Sequence, residues 1–169
     1  MSLSRFGLGI LAMLLAALAV PAVALACRCI WAGPFTKVAL ATELVVIAEV
    51  RSYERHGMDV AVVEVLGGEE GRRTIRIWGD DGALCRPYVT LFPRGTRWLF
   101  ALQREGASGS RDYAISGCGA FWLEIRGNRA IGHITVTDRG TTRESVSLAE
   151  MRAWIRSSGA TPLDPQPLR

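Results

Sequence analysis

Runs of apolar, β-branched residues, separated by short glycine-rich or polar segments, dominate this chain. Each of five runs either alternates polar with apolar side chains or stays apolar throughout, as a buried strand does. The predicted strands are residues 43–51, 59–66, 73–78, 96–103 and 112–116. A further hairpin is predicted at 123–125 and 130–137, around the turn residues Gly127-Asn128.

Two segments have helical character. Residues 34–42 begin with Pro34, which suits the first turn of a helix. Residues 147–156 begin with Ser147 and carry Glu150 three positions later, the pattern of a capping box. Residues 159–169 are rich in proline and are expected to form a flexible tail.

Five main strands flanked by an early and a late helix predict a mostly β fold, a five-stranded antiparallel barrel similar to the OB fold. The chain has 169 residues and contains no internal repeat or linker, which fits one domain with its own hydrophobic core. We therefore expect a single domain over residues 27–158.

The first residues differ from all that follows. Residues 6–26 contain no charged side chain and end at Ala24-Leu25-Ala26, a small-x-small pattern after which signal peptidase cuts. We expect residues 1–26 to be a signal peptide, Cys27 to begin the mature protein, and the protein to be extracytoplasmic, either secreted or periplasmic. Two alternatives stay open, an uncleaved leader that spans the membrane and a lipoprotein acylated at Cys27. Otherwise no membrane association is expected.

The remaining composition argues against several functions. The net charge of +4 is mild and scattered, which does not favour a nucleic-acid partner. The chain has no glycine-rich phosphate loop and no catalytic Ser-His-Asp or His-Glu-x-x-His pattern, so we expect a protein that is not an enzyme and has no cofactor of its own. His56 and His133 lack ligand spacing, and Asp80-Asp81, between two glycines, is predicted to be a solvated turn.

The four cysteines, Cys27, Cys29, Cys85 and Cys118, predict two disulfides in an exported protein. Because Cys27 and Cys29 are two positions apart, each is expected to bond to a distant partner rather than to the other. If chain order is kept, Cys27 pairs with Cys85 and Cys29 with Cys118. Two such bonds would hold a mature N-terminus that would otherwise fray.

Several motifs together resemble the N-terminal domain of the tissue inhibitors of metalloproteinases, which belongs to the netrin-like group of OB folds. These motifs are Cys27-Arg28-Cys29-Ile30, Glu43 to Ala48, Ala83-Leu84-Cys85, Gly95 to Ala101 and Ile115 to Cys118. The resemblance covers residues 27–122. It implies that Cys85 is the partner of the first cysteine and Cys118 the partner of the second.

The resemblance also implies a function, inhibition of a zinc metallopeptidase. A catalytic zinc keeps one coordination position open, and the family fills it with its N-terminal amine and carbonyl. Here the metal-binding atoms would be the amine nitrogen and carbonyl oxygen of Cys27, with Arg28 entering the adjacent specificity pocket. Leu84, held through Cys85, would form the second edge of the contact surface. Beyond this pocket, the cleft of the peptidase would be lined by Cys29, Ile30 and Trp31.

Two of these positions depart from the family pattern. Arg28 stands where the family has a small residue, and Trp31 replaces a usual proline. Because a fold does not determine function, a netrin-like extracytoplasmic interaction or structural module without inhibitory activity, lipid-anchored if Cys27 is acylated, is the alternative.

Overall fold

A computed structural model describes residues 29–106, 112–137 and 140–158. The predicted signal peptide (1–26) and tail (159–169) lie outside these residues. The described strands are β1 (Leu44–Glu54), β2 (Gly57–Gly67), β3 (Thr74–Trp78), β4 (Arg97–Arg104), β5 (Tyr113–Ala114), β6 (Trp122–Arg126), β7 (Arg129–Thr137) and β8 (Gly140–Ser147). The described helices are α1 (Phe35–Val38), α2 (Leu148–Ser157) and the 3-10 turns Ala39–Ala41 and Val89–Leu91.

The first five strands form a closed barrel. Their order is β1-β2-β3-β5-β4, and a further pairing between β1 and β4 closes the ring. This order of a five-stranded Greek-key barrel is that of the OB fold, so the predicted fold class is confirmed. One pairing, between β3 and β5, is parallel, whereas the prediction was wholly antiparallel.

Strand β1 is the most deeply buried element of the barrel. From Leu44 to Val50 every side chain except that of Glu49 is buried, which explains why this run is apolar without alternation. It pairs with β2 along one edge and β4 along the other. Register shifts in the β1–β2 ladder, such as the one between Ile47 and Ala48, bend the strand so that one element serves both neighbours.

Strands β6, β7 and β8 extend the sheet beyond the barrel. The outer edge of β4 is divided, because residues 97–100 pair with β6 and residues 103–104 pair with β5. The predicted hairpin is confirmed, with Arg126 opposite Arg129 and Gly127 in the left-handed region at φ 57°. Strand β8 was not predicted, because its sequence GTTRESVS has one apolar residue and depends on pairing with β7.

Both predicted helices exist, but the first is shorter. Helix α1 covers one turn and continues as the 3-10 turn Ala39–Ala41, with Pro34 at its N-cap. Its Thr36 Oγ1 donates a hydrogen bond of 2.8 Å to the carbonyl of Ile134, which fixes the helix against β7.

Helix α2 begins with the predicted capping box. The hydroxyl of Ser147 accepts from the amide of Glu150, and the Glu150 carboxylate accepts from the amide of Ser147. Its buried side chains are Leu148, Met151 and Ile155. At the edge of this buried face, Arg152 forms an ion pair of 2.8 Å with Glu64 of β2. The helix is therefore attached to the rest of the fold by packing and by charge. Among the described residues, no helix has the length and apolar character needed to cross a membrane.

A polar cluster joins the barrel to the segment after β2. The carboxylate of Glu70 accepts hydrogen bonds from the Arg72 guanidinium, at 2.6 and 3.0 Å, and from the Tyr113 hydroxyl at 2.9 Å. The Arg72 hydrogen bonds are the main reason that the pKa of Glu70 falls from 4.5 to about 2. The Tyr113 side chain is itself buried, so the cluster links the loop to the core.

We predict that this cluster makes the fold sensitive to acid. A carboxylate with a folded pKa below its unfolded value contributes stability that is present above pH 4.5 and lost as pH falls towards 2. Glu70→Gln is expected to lower the unfolding free energy at neutral pH by about 1–3 kcal/mol and to flatten the loss on acidification. Urea unfolding at several pH values measures both effects. Glu69→Gln, at the exposed neighbour, is the control, and equal behaviour of the two variants would contradict the prediction.

Candidate functional site

A disulfide holds the start of the described chain against the barrel. Cys29 is bonded to Cys118, with Cα atoms 5.7 Å apart and 89 residues between them in sequence. This predicted pairing is confirmed. The other predicted pairing, Cys27 with Cys85, cannot be placed, because Cys27 and Arg28 lie outside the described residues.

Cys85 lies at the same place. It is also disulfide-bonded, and its sulfur lies within 4.8 Å of the sulfurs of Cys29 and Cys118. The amide of Gly117 donates to the Cys85 carbonyl at 2.8 Å. None of the described cysteines is a free thiol, so this sulfur cluster offers no thiolate to a metal ion. It brings together three segments of the chain, those that contain Cys29, Cys85 and Cys118.

Two backbone hydrogen bonds extend this attachment. The amide of Ala32 donates to the carbonyl of Cys118 at 2.7 Å, and the amide of Ala120 donates to the carbonyl of Gly33 at 3.0 Å. Gly33 has φ 127°, and a Cβ there would come within 2.7 Å of the Lys37 side chain. Glycine is therefore required where the segment turns into α1.

The predicted contact residues are exposed at this end. Ile30 is 93% exposed, Trp31 49% and Leu84 41%. Ile30 follows Cys29 and Leu84 precedes Cys85 in sequence, so the sulfur cluster brings their backbones together. We call Ile30, Trp31 and Leu84 the apolar ridge.

The loop that presents Leu84 is built from local hydrogen bonds. A carboxylate oxygen of Asp80 accepts from the amides of Gly82 and Leu84, at 3.1 and 2.9 Å. Asp81 accepts from Ala83 at 3.0 Å. The aspartate pair therefore forms the predicted turn, and the two carboxylates organise backbone rather than a reaction.

The base of this loop is closed by further bonds. The amide of Asp80 donates to the carbonyl of Pro87 at 3.0 Å, and Arg86 forms an ion pair of 2.6 Å with Glu105 after β4. Leu84 is thus carried on an ordered loop that is tied to the barrel on both sides.

A cleft of about 400 Å3 opens beside the ridge. Its charged or titratable lining residues are Glu124 and His133, and Trp31 belongs to both ridge and cleft. The His133 ring meets the Trp31 ring edge to face, with centroids 6.3 Å apart. We call this the tryptophan cleft. Its lining is Trp31, Trp98, Gly117, Gly119, Ala120, Trp122, Glu124, Ile131, Gly132 and His133.

The sequence did not single out the cleft, although the signal was present. Residues two apart in a strand lie on one face, so Trp98 with Phe100, Trp122 with Glu124 and Ile131 with His133 each share a face. Recognising the cleft required the strand pairing that places these three pairs side by side.

A second depression, of about 360 Å3, belongs to the polar cluster described above. Three of its four charged lining residues already form ion pairs, Arg72 with Glu70 at 2.6 Å and Arg104 with Glu43 at 3.2 Å. It is lined by Glu69, Glu70, Gly71, Arg72 and Arg104.

No protein-family model matches this chain, and no curated protein matches it either. The fold alone therefore defines the class. It is a mostly β protein on a closed five-stranded barrel of OB order, with a Cys29–Cys118 crosslink at one end.

We predict that removing this crosslink loosens the ridge before it unfolds the barrel. The double variant Cys29→Ser with Cys118→Ser should lose about 2–4 kcal/mol of unfolding free energy. Amide hydrogen exchange at Ala32, which donates to Cys118, should speed up, while exchange at buried Leu99 in β4 stays slow. Equal acceleration at both amides would show that the disulfide supports the whole barrel and not the ridge in particular.

Proposed function

We propose that this protein is exported and inhibits a zinc metallopeptidase through its mature N-terminus at Cys27. The observation that carries the proposal is the exposure of Ile30, at 93%, directly after a disulfide-bonded cysteine. The barrel does not need this side chain for its own core, and the backbone on both sides of it is fixed by the Cys29–Cys118 disulfide and the Ala32 hydrogen bond.

Rigidity supports this proposal. Residues 29–33 are held by the Cys29–Cys118 disulfide and by the hydrogen bonds of Ala32 and Gly33 to the 118–120 segment. A segment that is ordered before contact loses little conformational entropy on binding. The ridge is therefore suited to insertion into the cleft of another protein.

Surface character gives further support. Isolated exposed apolar residues are normal in folded proteins, but here three of them lie at one crosslinked end. Large apolar side chains on an ordered backbone are the usual anchors of protein–protein interfaces. In the proposed complex Ile30 and Trp31 line one side of the peptidase cleft, and Leu84 forms the second edge.

The chemistry would come from the residue next to the ridge. The amine nitrogen and carbonyl oxygen of Cys27 would occupy the open position of the peptidase zinc. The zinc belongs to the peptidase, and this chain contributes neither a cofactor nor a catalytic group. Arg28 would enter the neighbouring pocket, so a suitable target needs a pocket that accepts a long cationic side chain.

We predict that inhibition requires a free amine at Cys27. A mature chain with one extra alanine before Cys27 should lose at least about 100-fold in potency, because the amine can no longer reach the metal. Inhibition by the native form should also weaken below about pH 8, where an ordinary α-amine becomes protonated. Cleavage of a fluorogenic peptide by a panel of zinc endopeptidases measures both effects.

The matched control carries its extra alanine at the C-terminus and should keep full potency. Ile30→Ala should weaken inhibition without changing its pH dependence. Equal potency of the two alanine-extended chains would exclude amine chelation. Absence of inhibition across the panel would instead favour the alternative, an interaction or structural module without inhibitory activity, and intact mass would show whether Cys27 is acylated.

A further inference from the structure

The floor of the tryptophan cleft is one face of three paired strands. Trp98 in β4 lies opposite Glu124 in β6, and Glu124 lies opposite Ile131 in β7. The intervening residues Leu99 and Leu123 point to the other face and are fully buried. The floor of the cleft is therefore supported from behind by buried side chains on the other face of the same strands.

The wall of the cleft comes from the crosslinked end. Trp31 stands on one side, and the segment around Cys118 supplies Gly117, Gly119 and Ala120. A Cβ at Gly119 would meet the Phe121 ring at 2.9 Å, so the segment packs closely there. A volume of about 400 Å3 is that of a site for a small organic group.

The two floor tryptophans are held in place. The Phe92 ring meets the rings of Trp98 and Trp122 edge to face, with centroids 5.1 and 5.5 Å apart. The indole N–H of Trp98 donates to Thr96 Oγ1 at 2.7 Å. Because these rings are already oriented, a ligand that binds them pays little ordering cost.

The cleft contains one carboxylate. Among its lining residues, Glu124 is the acidic one. Its carboxylate accepts from the guanidinium of Arg126 at 2.8 Å, and Arg126 lies largely in solvent with 65% of its side chain exposed. A cation that is bound against the aromatic rings would also lie near this carboxylate.

We propose that the tryptophan cleft binds a quaternary ammonium group. The faces of aromatic rings attract cations, tryptophan most strongly, and the attraction increases when the cation is desolvated. A trimethylated nitrogen has no N–H donors to satisfy, whereas a primary ammonium has three. The cleft supplies rings and one carboxylate already engaged by Arg126, so it fits the cation that needs no hydrogen bonds.

The test uses choline as the probe and its neutral tert-butyl isostere, dimethylbutanol, as the matched control. The chain has five tryptophans, and the indole N–H signals of Trp31, Trp98 and Trp122 should shift in a two-dimensional NMR titration. Those of Trp78 and Trp154, which do not line the cleft, should stay in place. The titration is run at one fixed pH, so that the charge of the cleft stays constant throughout.

Variants test the two parts of the site. Trp31→Ala should weaken choline binding by about two- to thirty-fold. Glu124→Gln should also weaken it, and Arg126→Gln should strengthen it, because one guanidinium that offsets the charge of the carboxylate is then removed. Glu54→Gln removes another arginine-paired carboxylate, that of Glu54 with Arg76 at 2.7 Å, outside the cleft, and should change nothing. Thermal unfolding confirms that each variant remains folded.

Three results would overturn the proposal. The first is equal binding of choline and its neutral isostere, which would indicate a merely apolar cleft. The second is weaker binding after Arg126→Gln, which would indicate that the arginine, and hence an anion, is what the cleft recognises. The third is the absence of shifts at the three cleft indoles with millimolar choline. None of these readouts depends on peptidase inhibition, so this site stands or falls separately from the Cys27 terminus.

Discussion

Strand β1 is the constraint on which the rest of the fold depends. It pairs with β2 along one edge and with β4 along the other, so the barrel is closed only while this single strand occupies its place. Burial of Leu44, Val46 and Val50, each at most 1% exposed, fixes the strand there. Strand β4 also pairs with β6 along its outer edge. The position of the floor of the tryptophan cleft therefore depends on β1 as well.

The two candidate surfaces share one attachment point. The apolar ridge begins at Cys29, and the wall of the tryptophan cleft includes the glycines on both sides of Cys118, so the disulfide between these cysteines contributes to both. Trp31 belongs to both surfaces as well. A partner bound to the ridge and a small cation bound in the cleft would therefore contact the same indole ring. Binding at one surface would then change the affinity of the other.

The sequence predicted those parts of the fold that local pattern decides. The apolar run of β1, the turn at Gly127 and the capping box at Ser147 depend on neighbouring residues, and each was found where expected. Strand β8 was missed because its sequence contains a single apolar residue, and its pairing with β7 is not visible in the local pattern. The exposure of Ile30 could be predicted only through a family resemblance. Local pattern placed Trp98, Glu124 and His133 on strand faces but could not join them into the tryptophan cleft, since these residues meet only through strand pairing.

The separation of 89 residues between Cys29 and Cys118 determines when, during synthesis of the chain, their disulfide can form. Cys118 is synthesised after strands β1 to β5 (44–114) have all been made. The disulfide can therefore attach the amino-terminal segment only after every strand of the barrel exists. A chain that stalls or is truncated before this point would leave the segment untethered and its apolar side chains without a defined geometry. A defined geometry of this segment is thereby coupled to completion of the polypeptide and to oxidation of the two thiols.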